Sequence, residues 1–273
     1  MVTRMVEQPD RGGSVSRWFS PLRTWSSKNA AAQRPPETVR YGSHPEQVAD
    51  LWLPEGRGPH PVVVSIHGGY FQRQYRRDLH DPLARRLATS GVAVLNIEYR
   101  RGRSGGSLEN TTDDVYAAIT ALNATSHDLH RRVSVVGHSA GGYLALWAAS
   151  HPDVDLVVAL AATSDLVDCA QGGYDGGAIA SWLGGTPKDE PGVYERADLL
   201  GRLPTTATTF LVHGTADGTV PAHQSTRYVE RARQVGDESS TLLLDGEGHF
   251  GLVDPREPAF DAWHGLVLEW ARA

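Results

Sequence analysis

The sequence predicts an α/β domain built on a mostly parallel sheet, with helices on both faces and a short cap. Three observations carry this expectation. Short apolar runs have the length of buried strands, amphipathic stretches of helical length alternate with them, and glycines stand at many of the junctions. Residues 1–38, rich in Arg, Ser, Pro and Ala, read as an N-terminal extension to a domain at 39–273. Within it, "SVSRWFSPLRTWSS" puts Trp18, Leu22 and Trp25 at helical spacing beside Phe19. Segment 16–27 is expected to pack near the cap and narrow the pocket. The alternatives are a homodimer contact through the same tryptophans and a passive tail.

From residue 39 the elements follow in order. "VADLWLP" (48–54) and "HPVVVSIHGG" (60–69) read as strands, the second running into a glycine loop. "DLHDPLARRLATSG" (78–91) is an amphipathic helix that stops at Gly91, and "VAVLNIEY" (92–99) is the next strand. Residues 107–125 form a helix with acidic residues in its early turns, where the helix dipole favours them. Val133, Val135 and Val136 mark a buried strand that ends at Gly137, and 144–149 is a helix of Leu, Ala and Trp. Strands follow at 154–162, 207–214 and 240–246, with helices at 221–236 and 258–273. Residues 170–204, rich in Gly, Pro and Asp, break the alternation and read as the cap, an excursion over the sheet edge.

Composition narrows the function. With 273 residues, 40% hydrophobic and 21% charged, the chain can bury one large core. A net charge of -6 argues against nucleic acid as a partner. The single cysteine, Cys169, allows no intramolecular disulfide, so a cytoplasmic location is expected. The N-terminus carries no apolar core of a signal peptide, and no apolar run reaches the length of a membrane span. The 12 histidines form no metal-binding spacing, so neither a metal nor a cofactor is expected.

The chemistry concentrates at "GHSAGG" (137–142), a G-x-S-x-G pattern between a buried strand and a helix. A nucleophile on such a turn needs a strained backbone and small neighbours, and the turn lifts its hydroxyl clear of the sheet. Ser139 is the expected nucleophile, and the Ala140 N–H an oxyanion donor. A serine needs a base oriented by a carboxylate. Asp217, just past the strand in "FLVHGTADGTVP", and His249, just past the last strand in "LLLDGEGHFGL", fill those roles in the order Ser, acid, His. Both stand at carboxyl ends of strands, where open α/β sheets build their sites. Asp245, Glu247 and Asp254 compete for the acid, and His213 and His223 for the base. His213 still lies in its strand and reads as structural. Gly69 and Tyr70, in "IHGGYF", are the expected second source of oxyanion N–H groups, with His67 shaping the loop by hydrogen bonding.

Together, HGG at 67–69, GHSAGG at 137–142, "HGTADGTVP" at 213–221 and "GEGHF" at 246–250 resemble the α/β-hydrolase superfamily over about residues 39–273. Within it the chain is similar to the group of small-molecule carboxylesterases, kynurenine formamidases and prolyl-oligopeptidase-like hydrolases. That resemblance implies a serine hydrolase cleaving a small carboxylic ester through an acyl-enzyme. The alternatives are an arylformamidase-like amide hydrolase, an acyltransferase or cyclase, and a non-catalytic binder on the same fold. The formamidase motif HGGxW has Phe71 in place of its Trp. Phe71, His138 and Trp182 are the expected substrate contacts. Asp165 reads as a helix cap, Tyr143 and Trp147 as core, and Arg100 and Arg101 as ion-paired near Glu98, with a substrate carboxylate as the other reading for an arginine there.

Overall fold

The computed structural model describes residues 34–273. The expected packing of Trp18, Phe19, Leu22 and Trp25 against the cap lies outside the described residues. Eight strands form one sheet: β1 (Glu37–Arg40), β2 (Val48–Trp52), β3 (His60–Ile66), β4 (Ala93–Ile97), β5 (Leu129–His138), β6 (Val154–Leu160), β7 (Thr208–Gly214) and β8 (Ser239–Leu244). Their order in space is β1-β2-β4-β3-β5-β6-β7-β8. The pairs β1/β2 and β2/β4 are antiparallel and the rest parallel. β1 crosses the boundary expected after residue 38. Its residues are mostly exposed, so no apolar alternation marks it in the sequence.

The inner strands β3–β7 are largely buried on both faces, the edge strand β8 only in part, and alternate residues feed two cores. Val64, Ile66, Val135, Val157 and Leu211 enter one, and Val63, Val136, Val158, Leu160 and Val212 the other. The first core is closed by α2 (Leu108–Ala121), α3 (Ala140–Ala148) and α7 (His223–Gln234). The second is closed by α1 (Asp81–Thr89) and α8 (Pro258–Arg272). Local chemistry sets the ends of these helices. Ser107 caps α2 by accepting the Asn110 N–H at 3.1 Å, and Gly91 after α1 sits at φ +93°, where a side chain would be strained.

Residues 170–204 are mainly helical. They carry the end of α4 (Leu166–Gly172), then α5 (Ala178–Leu183) and α6 (Pro191–Ala197). Asp165 is the N-cap of α4, accepting the Asp168 N–H at 2.9 Å, as the sequence suggested. Leu183, Tyr194 and Ala197 pack into the first core, so this segment lies against that face. Among the described residues no helix is long and apolar enough to cross a membrane.

Candidate active site

β5 runs straight into α3, and Ser139 is the residue between them. Its backbone, at φ 58° and ψ -120°, is one that a side chain adopts only under strain, on the order of 1–3 kcal/mol. The Ser139 N–H donates to Leu160 O at 2.9 Å, which fixes the turn to β6. The glycines make the turn sterically feasible. A Cβ on Gly137 would lie 2.0 Å from Gly141 O, and one on Gly141 2.1 Å from Ile66 O. Ala140 begins α3, so its N–H has no acceptor within the helix and is free to face an anion.

The residues after β7 and β8 meet at this same edge. His249 Nδ1 is 2.7 Å from Asp217 Oδ2. Asp217 Oδ1 accepts the N–H groups of Thr219 and Val220 at 2.8 and 2.9 Å. His213 Nε2 stands 3.4 Å from Asp217 Oδ2 and 2.9 Å from Val220 O, while its Nδ1 is 2.8 Å from Ser225 Oγ. Burial alone would raise the Asp217 pKa. Hydrogen bonds from His213 and His249, with help from the Val220 N–H, outweigh it and hold the carboxyl well below the usual range. His213 is therefore a structural histidine that also steadies the acid, a part that lone strand residues do not announce. The competing groups are engaged elsewhere. Thr215 Oγ1 donates to Asp245 at 3.2 Å, Gly248 N–H to Glu247 at 2.9 Å, and Asp254 pairs with Arg256. His223 lies 2.7 Å from Asp168 at the surface.

His138 is buried against the proposed base: its Nε2 is 2.9 Å from the backbone oxygen of His249, and the two rings are 4.5 Å apart. Burial, together with the neighbouring His249 and His80, pushes its pKa well down, so the ring is neutral and its Nε2–H donates. It seats the His249 backbone beside Ser139, so His138, expected as a substrate contact, is packed behind the proposed base. Ser139 and His249 themselves are only 5% and 6% exposed. They share no hydrogen bond among the described residues, and such bonds often tighten only when substrate is present.

The loop after β3 forms the other wall. Gly68 packs on the turn, since a Cβ there would come within 3.0 Å of Ser139 Cβ. The next three residues all have positive φ: Gly69 at 118°, Tyr70 at 55° and Phe71 at 53°. His67 is fully buried, with Nε2 2.9 Å from Glu98 Oε1 and Nδ1 2.8 Å from Gly68 O, so it shapes the loop as expected. Phe71 is stacked on Trp182 of α5, with ring centroids 3.7 Å apart and an interplanar angle of 8°. Trp182 Nε1 donates to Thr111 Oγ1 at 3.1 Å, and Tyr143 meets both rings edge-on. Phe71 and Trp182, expected as substrate contacts, are thus packed against each other. At 2% and 4% exposure they spend their faces on each other and carry the loop on the cap. Arg100 pairs with Asp114 and Arg101 with Glu46 and Glu98, so neither is available to a substrate carboxylate.

A cavity of about 350 Å³ opens where β5 begins, lined by Leu122, His127, His130 and Asp153 among others. That is the edge opposite Ser139, so its volume has no nucleophile beside it. No group of three or more potential metal ligands occurs among the described residues.

Comparison with known proteins agrees with this architecture. A family model described as BD-FAE matches residues 49–231. The esterase LipC of Mycobacterium tuberculosis is 28% identical over 244 residues, covering 79% of this chain and 60% of that protein. A probable isoprenylcysteine alpha-carbonyl methylesterase of Oryza sativa subsp. japonica is 25% identical over 249 residues, covering 79% of this chain and 57% of its own. The chain thus spans somewhat more than half the length of these curated relatives. Among solved structures, a truncated carbohydrate esterase from gut microbiota superposes with a TM-score of 0.76 at 19% identity, over 90% of this chain and 100% of that one. Esterase B from Lactobacillus rhamnosis superposes with a TM-score of 0.78 at 17% identity, over 94% and 93%. These likenesses establish the α/β-hydrolase fold.

Proposed function

This chain belongs to the BD-FAE family and has the α/β-hydrolase fold, and on that premise we propose that it is a serine hydrolase of small carboxylic esters. The observation that carries the reading is the Asp217–His249 contact of 2.7 Å, brought to the edge where Ser139 stands on its strained turn. The esterases among its relatives and structural neighbours support the same bond type.

In this reading Ser139 Oγ attacks the acyl carbon while its proton passes to His249 Nε2. The carbonyl oxygen becomes an oxyanion and takes N–H groups from Ala140 and from Gly69 or Tyr70. Collapse expels the alcohol, which takes the proton from His249. Water then adds to the acyl-enzyme by the same route and releases the acid. Asp217, ionised, holds the His249 Nδ1–H and stabilises the imidazolium. A compact acyl group is the fit expected at so deeply buried a serine. A cytoplasmic location, suggested by the lone cysteine, and a homodimer belong to the same proposal.

The test is a series of p-nitrophenyl esters of increasing acyl length, with fluorophosphonate labelling of the wild type and Ser139→Ala. The expected result is turnover that is best for the short acyl groups, with label and turnover both lost in Ser139→Ala while its melting temperature is kept. Retained turnover in a clean Ser139→Ala preparation removes Ser139 as the nucleophile, and an unlabelled, inactive wild type points to a binder.

A further inference from the structure

Arg101 is a cation enclosed by protein, only 1% exposed. Burying a guanidinium is costly unless every face of it is used, and here half of its partners are carbonyls of one loop. Its Nε donates to Tyr75 O at 2.8 Å and to Gln72 O at 3.3 Å, and its Nη2 donates to Arg73 O at 3.3 Å. Its Nη1 donates to Tyr99 O at 2.7 Å and to Glu46 Oε2 at 2.6 Å, and lies 2.5 Å from Glu98 Oε1. Glu98, fully buried, reaches both ends of that same loop: His67 Nε2 at 2.9 Å where it begins, and the Arg77 N–H, which donates to Oε2 at 3.3 Å, where it ends.

One buried Arg–Glu pair thus grips residues 67–77 at the start, the middle and the end. Inside that grip lie Gly69, Tyr70 and Phe71, all with positive φ, and the Gln72 N–H that donates to Gly69 O at 2.9 Å. Backbone of this kind persists only where its surroundings over-determine it. The carbonyls that Arg101 holds are those of Gln72, Arg73 and Tyr75, directly after the strained residues.

We propose that Arg101 is the positioning residue of the oxyanion loop. Through three carbonyls of residues 72–75 it keeps the Gly69 and Tyr70 N–H groups aimed at the site where negative charge develops. This rests on the hydrolase reading above. Arg101 touches neither substrate nor Ser139. Its effect belongs in kcat, because the loop's donors act on the transition state. A lysine keeps the charge for Glu98 but cannot fork to several carbonyls at once.

The experiment compares wild type with Arg101→Lys by steady-state hydrolysis of p-nitrophenyl acetate, by fluorophosphonate labelling rate, and by hydrogen exchange of the amides of 69–76. The expected result is a folded variant with kcat down about 10- to 100-fold, as a displaced donor costs. KM should stay within about threefold, labelling should slow in step, and exchange should quicken in 69–76 alone. Should Arg101→Lys not fold, Arg101→Gln, which leaves Glu98 on His67 and on the Arg77 N–H, is read the same way. A folded variant with kcat within about threefold of wild type, or with a loss confined to KM, overturns the proposal. If the wild type neither turns over ester nor takes the label, the hydrolase reading fails. Unchanged exchange in 69–76 then still decides against Arg101 as the holder of the loop.

Discussion

Asp217→Asn changes one oxygen to an amide nitrogen, and the structure dictates which way the new amide must face. Position Oδ1 accepts two backbone N–H groups, from Thr219 and Val220, so the amide oxygen has to stay there. The NH2 then points at His249 Nδ1, 2.7 Å away, and towards His213 Nε2, 3.4 Å away. Flipping the amide would set two donors against two backbone N–H groups. His249 must therefore accept at Nδ1 and carry its proton on Nε2, the nitrogen that should take the proton of Ser139. Where the same change has been made in a Ser-His-Asp site it lowers kcat by about 10⁴, or about 5.5 kcal/mol of transition-state stabilisation. We expect a loss of that order for p-nitrophenyl acetate, with KM little changed and Ser139 labelled only slowly. The acid limb of stability should change too. The folded-state pKa of Asp217 lies below its unfolded value, so its contribution is present above pH of about 4 and is lost as pH falls below that. Urea melts between pH 5 and 3 should be flatter for Asp217→Asn than for wild type. If the variant keeps more than about a tenth of wild-type kcat, or if Asp245→Asn is the more damaging change, Asp217 is not the acid.

Asp81 provides an opposite pH effect. Burial, with Asp50 and Asp78 nearby, pushes its pKa up to about 7, so its ionisation costs stability as pH rises from about 4 to about 7. Asp81→Asn removes that cost while its amide oxygen can still accept from Asn96 Nδ2, so it should stabilise by about 1–4 kcal/mol at pH 8 and by less at pH 5. Equal urea midpoints at pH 8 would refute this. Trp182→Ala should cost about 3–5 kcal/mol of stability, as for other buried aromatics. It should also lower kcat, because Phe71 loses the ring on which it is stacked. A variant with normal kcat despite a lower melting temperature would detach this stack from the chemistry.

Much of the molecule was legible in the chain because the signals are local. Buried strands need short apolar runs, and five of the six positions of the turn 137–142 are Gly, Ser or Ala, so composition at those positions reports geometry directly. The order of Ser139, Asp217 and His249 could be read because each follows the carboxyl end of a parallel strand, and parallel strands bring those ends to one edge. Where a partner is distant in sequence, or is a backbone atom, no local signal exists. β1 has four mostly exposed residues and no alternation, so only its pairing with β2 reveals it. Phe71 and Trp182 are individually plausible ligand contacts, and the packing of α5 against the loop after β3 is what turns them toward each other. His138, beside the nucleophile, looks accessible until the His249 backbone closes over it. Arg101 reads only as ion-paired near Glu98, since the carbonyls of Gln72, Arg73 and Tyr75 that it grips are chemically identical to every other carbonyl in the chain. The sequence by itself determined most of the strands and helices of the sheet and its two faces, and which candidate groups follow the carboxyl ends of the strands. The tertiary structure decided which of those groups are covered, because burial and long-range hydrogen bonding depend on how the sheet and cap are stacked.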